Sequence, residues 1–423
     1  MERCAVSSSD VYSEMLSRMR VLAERQWRYE KQVINLIASD NATPFHDALY
    51  PGQIIQEGLL GDRPFAGAAI HDEIEALASA IACRVFAADH ANLQPHSCSQ
   101  ANQAAYHAVL QPGQPALALD FRGGGHLTHG LKSNFSGRNF RFSHFGVVDG
   151  QIDYDRCHEL AQALRPPLIV CGSSSYPLQY DIARLRVIAD SVGARLMLDL
   201  SHEAGLIAGG ALPNVIPQAD IVTMSLDKTL RGPYGGLILC RKELALAIDR
   251  AIHPGTQSSF PIAKLVHAAR CLCETQTPVF REYAKRTIDA AQVLVRIFAD
   301  VAGLVVTGGT DKHYLVLDVR GALAMSGREA ERRLEAINIL TSRQVLPNDA
   351  SARSNEAGGL RIGTAWTSSR GYELNEFAEL GLIIKAALTQ PPTTSTVHEQ
   401  RGSVARLVGR LRRNDVWSCH VAS

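Results

Sequence analysis

Through its middle third the chain alternates short, almost wholly apolar runs with stretches whose apolar residues recur at helical spacing. The runs of strand length are Ala116–Leu119, Leu168–Val170, Leu196–Leu198, Ile221–Met224 and Leu237–Cys240. Short buried strands separated by helices imply βα units and a mainly parallel sheet covered on both faces. Ahead of this region, a charged, helix-prone segment runs from Asp10 to about Gln32, followed by a short apolar segment, Val33–Ser39. Residues 50–69 are rich in Gly and Pro and read as an irregular loop, and Asp72–Phe86 reads as a helix. Beyond the sheet, Pro254–Pro261 reads as a second loop and Ile262–Ala299 as one long helix linking two lobes. Leu304–Thr307, Tyr314–Val319 and Leu360–Ile362 read as strands, Gly327–Ala336 as a helix, and residues 389–398 as a linker to a last amphipathic helix. The expected class is therefore α/β: a helical arm over residues 1–50, a large domain with a mainly parallel sheet over 51–283, and a smaller α+β domain over 284–423.

Composition narrows this picture. A chain of 423 residues that is 46% hydrophobic and 20% charged can bury a large core unaided. Its formal net charge of +1 gives no electrostatic case for nucleic acid or an anionic membrane. The late basic cluster, Arg401, Arg406, Arg410, Arg412 and Arg413, reads as a solvated helix face. The nine cysteines are scattered without C-x-x-C spacing, and only one residue separates Cys271 from Cys273. That pattern suits free thiols better than a disulfide framework or zinc site, so no metal is expected. The first twenty residues carry charges where a signal peptide needs an apolar core, and no apolar run reaches the ~18 residues of a membrane span. A cytoplasmic protein is expected.

Four segments carry candidate chemistry. Lys228 follows one apolar run and precedes the glycine-rich turn to the next, Gly232-Pro233-Tyr234-Gly235-Gly236. Alone, it reads as one more exposed lysine. Asp199 ends the run Leu196-Met197-Leu198, at the sheet edge where open α/β sheets bind ligands. A carboxylate there can keep a pyridinium nitrogen protonated, or simply cap a helix. Gln94-Pro95-His96-Ser97-Cys98-Ser99 precedes an alanine-rich helix running to Leu110, and a helix start with free N–H groups and hydroxyls suits a phosphate. An ordinary Ser cap would look the same. Gly123-Gly124-Gly125-His126 lets backbone approach a ligand closely, with His126 able to stack on a flat ring or relay protons.

The order of these pieces is more specific than any one of them. Phosphate cup, stacking histidine, aspartate and lysine follow one another as in pyridoxal 5′-phosphate (PLP) enzymes of the aspartate-aminotransferase fold type. From about residue 30 to residue 386 the chain resembles the serine hydroxymethyltransferase family. The matching strings include Asn35-Leu36-Ile37-Ala38-Ser39-Asp40-Asn41, Gln94 to Asn102, Gly124 to Gly130, Asp199 to Leu206, Lys228 to Leu239, Gly308-Gly309-Thr310-Asp311, Val345 to Asp349 and Gly359 to Thr364.

The resemblance implies that Lys228 holds PLP as a Schiff base, Asp199 pairs with the pyridine nitrogen, His202 approaches the ring hydroxyl and His126 stacks on the ring. Ser97, Cys98 and Ser99 would hold the phosphate, with Gly255 approaching from a neighbouring subunit, and Ser174, Tyr176 and Ser225 would line the cofactor pocket. Cys98 stands where the family usually has glycine. Arg361 would grip the substrate carboxylate in a bidentate pair, assisted by Ser39. Glu57 aligns with the family's catalytic glutamate beside the substrate hydroxyl. A homodimer with shared sites is implied, Glu57, Phe65 and Gly255 coming from the other chain.

Departures cluster in one loop. Where the family reads arginine followed by two tyrosines, this chain has Arg63-Pro64-Phe65, and another family tyrosine is Ile55. Pro64 removes a ring that packs on folate, and Phe65 keeps its ring but loses a hydroxyl donor. Phe121 replaces a usual leucine at the folate site, whereas Asn348 matches a folate contact. Asp227 stands for a histidine and Tyr234 for an arginine, and Asp227 would favour a protonated Lys228 if close to it. The expected activity is Cα–Cβ cleavage of a β-hydroxy amino acid, serine or threonine, through a glycine carbanion delocalised into the ring. The glycyl unit would pass to an aldehyde acceptor without folate, as in threonine transaldolases. The alternatives are a tetrahydrofolate-dependent glycine hydroxymethyltransferase, another PLP reaction (racemase, aminotransferase or decarboxylase), and an inactive scaffold.

Overall fold

The computed structural model describes residues 8–42, 54–350 and 353–411. Arg412 and Arg413, the start and end of the expected helical arm, and residues 50–53 of the first loop lie outside them.

Seven strands build the main sheet: β1 (His90–Asn92), β2 (Pro115–Leu119), β3 (Arg141–Phe145), β4 (Leu168–Gly172), β5 (Arg195–Asp199), β6 (Ile221–Ser225) and β7 (Gly236–Cys240). Their order is β1-β7-β6-β5-β4-β2-β3. All pairs are parallel except those made by β7, which runs antiparallel to both β6 and β1. Every residue of β4, β6 and β7 is buried, which is why these strands are continuous apolar runs. Successive side chains enter opposite cores. Leu117, Leu119, Ile169 and Cys171 pack with Phe86 and Leu93 on one face, while Ala116, Ala118, Leu168 and Val170 pack with Tyr106 and Leu110 on the other. The edge strands β1 and β3 were not expected. β3 reads Arg-Phe-Ser-His-Phe with only Phe145 buried, so it has no apolar run to betray it.

A second core surrounds an antiparallel sheet of β8 (Tyr314–Asp318), β9 (Ser342–Gln344) and β10 (Gly359–Gly363), in the order β8-β10-β9. Leu315, Leu317, Leu360 and Ile362 meet Leu294, Phe298, Phe377 and Leu380 from the helices Pro278–Phe298 and Leu374–Thr389. Ile34 and Leu36 also enter this core, because Ile34–Asn35 pairs in parallel with Ile339–Leu340.

Four expectations are corrected. Ile262–Ala299 is two helices, Ile262–Glu274 and Pro278–Phe298. Pro278 cannot donate to a continuing helix, and Thr277 starts the second one by accepting from the Phe280 amide at 3.3 Å. Leu304–Thr307 is not a strand: Val305 makes one bridge to Leu317, and Thr307 then turns into the left-handed region at φ 65°. The two expected loops contain an antiparallel pair, Ile55–Glu57 with Ser259–Pro261. The expected linker shrinks to residues 390–393, since Thr393 caps a helix over Thr394–Arg410. Among the described residues, no helix is long and apolar enough to cross a membrane.

Candidate active site

A cleft of about 350 Å³ opens at the carboxyl ends of the parallel strands. Ser39, Ser97, Cys98, Ser99, His126, Ser174, Asp199, His202, Ser225 and Lys228 all line it, together with Asp40, Ser173, Ser201, Asp227 and Tyr234. The sequence thus names most of the wall. Tyr176, expected there too, is buried outside it, its carbonyl accepting from the Tyr314 hydroxyl at 2.8 Å. A larger hollow of about 490 Å³, bounded by Arg328, Arg332, Pro391 and Val397, is lined by none of these residues.

Asp199 forms the floor. It is the last residue of β5, beside Gly172 of β4, where an added Cβ would lie 2.5 Å from the Asp199 Cβ. Its carboxylate accepts from Asn102 Nδ2 at 2.8 Å, Ser201 Oγ at 2.5 Å and the Ser201 amide at 3.1 Å, with His129 Nε2 at 3.4 Å. Burial alone would raise the carboxyl pKa, but His129, His126 and Ser201 together hold it well below the usual carboxylate range. Asp199 is therefore a buried anion that can face one more cation. His129 Nδ1 meets the Tyr106 hydroxyl at 2.6 Å, and Thr128 Oγ1 bridges Asn102 Nδ2 at 2.9 Å and His126 Nδ1 at 2.7 Å. Ligating atoms of His126, His129 and Asp199 lie within 4.8 Å of one another, each residue already engaged by these protein partners. Asn102, Tyr106, Thr128 and His129 were missed. The signal for the first two was the four-residue spacing of Asn102 and Tyr106 on one helix face, directly after the expected cup, while Thr128 and His129 simply follow His126 in its turn.

The cup is the N-terminus of the helix Cys98–Val109. Ser97 caps it, its Oγ accepting from the Gln100 amide at 3.2 Å. β7 enters against it at Gly236, where a Cβ would meet the Ser97 carbonyl at 2.5 Å, so only glycine fits. Cys98 points inward, its Sγ 3.7 Å from Asp199 Oδ1 and 3.0 Å from Ser201 Oγ. Burial and the Asp199 charge push this thiol's pKa up, so it stays neutral. Beneath the cup, Lys264 is buried and donates to the Pro95 carbonyl, and burial pushes its pKa down to about 7. No sequence signal marked Lys264.

Lys228 follows β6 in the turn before β7. Asn41 Nδ2 donates to its carbonyl at 2.8 Å, and its Nζ lies 3.2 Å from His202 Nε2. Burial lowers the Lys228 pKa, opposed by Asp199, and raises the neutral amine fraction that a nucleophilic lysine needs. Asp227 lines the same cleft and does favour the charged lysine as expected, but burial outweighs it. Burial likewise pushes His126 down to about 4, keeping its imidazole neutral. Arg361, on β10, is buried and does not itself line the cleft; it donates to the carbonyl of Ser174, which does, and lies 6.0 Å from the Tyr314 ring.

Besides Tyr176 and Arg361, four further expected residues do not line this chain's own cleft. Glu57 sits on the strand Ile55–Glu57 and accepts from Ser258 Oγ at 3.0 Å. Phe65 is 46% exposed, Gly255 turns beneath the helix Ala245–Ile252 with its amide on the Arg250 carbonyl at 3.2 Å, and Asn348 lies in an exposed turn. Arg63 in the same loop was missed as an anchor: its buried guanidinium pairs with Asp72 at 2.6 Å and with Glu75, over the Phe260 ring.

The family profile for serine hydroxymethyltransferase matches residues 9–384. Serine hydroxymethyltransferase of Mycoplasma capricolum is 38% identical over 379 residues, covering 88% of this chain and 91% of that protein. The namesake from a Synechococcus species is 40% identical over 409 residues, covering 92% and 94%. That from Mesoplasma florum is 39% identical over 368 residues, covering 86% and 89%.

Proposed function

The chain belongs to the serine hydroxymethyltransferase family of PLP-dependent transferases, and from that premise we propose that it cleaves the Cα–Cβ bond of serine, threonine or a related β-hydroxy amino acid and passes the glycyl unit to an aldehyde without folate. The residues fit the cofactor. A buried carboxylate gathered by Asn102, Ser201 and His129, Asp199, faces a cleft that also holds a helix N-terminus flanked by Ser97 and Ser99. Bound there, the cofactor supplies an electron sink for the pair left at Cα when the bond to Cβ breaks.

The protein's own groups do the rest. Lys228 offers a largely desolvated amine for covalent attachment and for proton exchange. Asp199 would hold its negative charge opposite the ring nitrogen. Neutral His126 would cover a ring face without adding a competing positive charge. Arg361 takes the substrate carboxylate, orienting the bond to be broken. Glu57, from a second copy of the chain, handles the proton of the substrate hydroxyl. A homodimer belongs to the same reading, because Glu57 and Phe65 do not line this chain's own cleft and would reach a site only through a second copy.

The observation that carries the folate-free version is the loop itself, which presents Pro64 and exposed Phe65 in place of two tyrosines. A second reading, transfer of the one-carbon unit to tetrahydrofolate, is favoured by Glu57 and Asn348 and by the names of the relatives. Product identification after incubating the PLP-loaded protein with serine or threonine separates them. The first reading expects acetaldehyde from threonine and capture of the glycyl unit by an added aldehyde, at rates indifferent to tetrahydrofolate. Serine cleavage that proceeds only with tetrahydrofolate overturns it.

A further inference from the structure

Behind the cleft lies a charge pair that the chemistry above does not use. Glu203 and Lys312 are 3% and 0% exposed and form an ion pair through Oε1 and Nζ. Among the described residues neither makes any other ion pair, and Lys312 Nζ sits 4.0 Å over the Tyr180 ring. A buried ion pair is a poor stabiliser, because desolvation of both charges offsets their attraction and a well-packed apolar pair does as well. Its position suggests another use. Glu203 is the neighbour of His202, and Lys312 the neighbour of His313. These two imidazoles stack with centroids 5.2 Å apart, His202 Nδ1 lying 3.3 Å from His313 Nε2. His202 Nε2 is the atom 3.2 Å from Lys228 Nζ, and His313 Nε2 is anchored on the Ala38 carbonyl at 3.1 Å. The pair thus ties the turn after β5 to the segment before β8, one residue away from each member of the histidine stack that reaches Lys228.

We propose that Glu203 and Lys312 are positioning residues: a mutually neutralised pair that fixes the His202–His313 stack and sets the protonation balance at Lys228. The other charged groups in the neighbourhood are accounted for. Lys228 faces Asp199, Cys98, Arg361 and Asp227. His202 faces Lys228, Arg361, His313 and Lys312, with the Tyr314 ring at 5.3 Å. Burial first, then those cations, push both imidazoles toward the neutral form. With the pair intact its net charge is zero. Losing one member leaves the other as an uncompensated charge beside the His202–His313 stack and Lys228.

The test rests on Lys228 as the cofactor-bearing lysine and reads a spectrum, not turnover: the pH midpoint of the near-visible band of the PLP-loaded protein. Lys312→Met leaves a carboxylate, favours the protonated form of the Lys228 nitrogen and should raise the midpoint by about half a pH unit or more. Glu203→Gln leaves an ammonium and should lower it by a similar amount. The double variant should return to within about 0.3 unit of the parent. Folded single variants whose midpoints are unmoved, or move the same way, overturn the proposal. Should Lys312→Met fail to fold alone, the double variant must fold and titrate like the parent; if it also fails, or titrates elsewhere, the proposal falls. A parent protein without any such band overturns the cofactor reading and this inference with it, whereas a normal band with unmoved midpoints fails this inference alone.

Discussion

Lys228→Ala is expected to lower kcat for amino-acid cleavage by on the order of 10³-fold or more, because one side chain supplies both the covalent attachment and a proton carrier. The substitution should leave the fold intact. The backbone of Lys228 is held independently of its side chain, through its carbonyl to Asn41 Nδ2 and the Arg231 amide, while Thr229 Oγ1 donates to the His202 carbonyl at 3.0 Å. The amine itself contacts only His202 Nε2 within hydrogen-bond distance among the described residues. Circular dichroism should therefore match the parent while the near-visible band of the bound cofactor shifts to that of free or non-covalently held PLP. Parent-like turnover would remove Lys228 from the chemistry.

Asp199→Ala should be nearly as damaging, with kcat falling on the order of 10²–10³-fold, the range for removing one preorganised charge-stabilising group from a buried site. Asp199 gathers Asn102, Ser201 and His129 around one carboxylate, and burial makes each of those contacts count for more than in water. Asp199→Asn separates shape from charge. It preserves the size of the group and part of its hydrogen bonding but removes the anion, so a loss nearly equal to that of alanine assigns the effect to charge. Recovery to near-parent turnover in the asparagine variant would show that the carboxylate is only a scaffold for its neighbours.

The core of the fold was legible because β4, β6 and β7 are buried along their whole length and can be written only in apolar residues. Where the polypeptide chooses between states by one contact, the pattern was silent. Pro278 and the Thr277 cap split what periodicity alone joins into one helix, and β3 alternates polar residues at a sheet edge. The cleft was legible to the extent that its residues stand in recognisable strings. The supporting layer was not. His129, Tyr106 and Thr128 act by converging on Asp199 and His126 from separate elements, and Lys264 and Lys312 are lysines whose burial no local pattern announces. Glu57 and Phe65 lie outside this chain's cleft, so their expected role depends on a second copy.

Three lysines are now rivals for an aldehyde ligand, since Lys228 lines the cleft while Lys264 and Lys312 are buried near it. Reduction of the PLP-loaded protein with borohydride, followed by peptide mass mapping, discriminates among them directly. The account predicts a single reduced pyridoxyl adduct, on Lys228. An adduct on Lys264 or Lys312 instead, or no adduct at all, would contradict it.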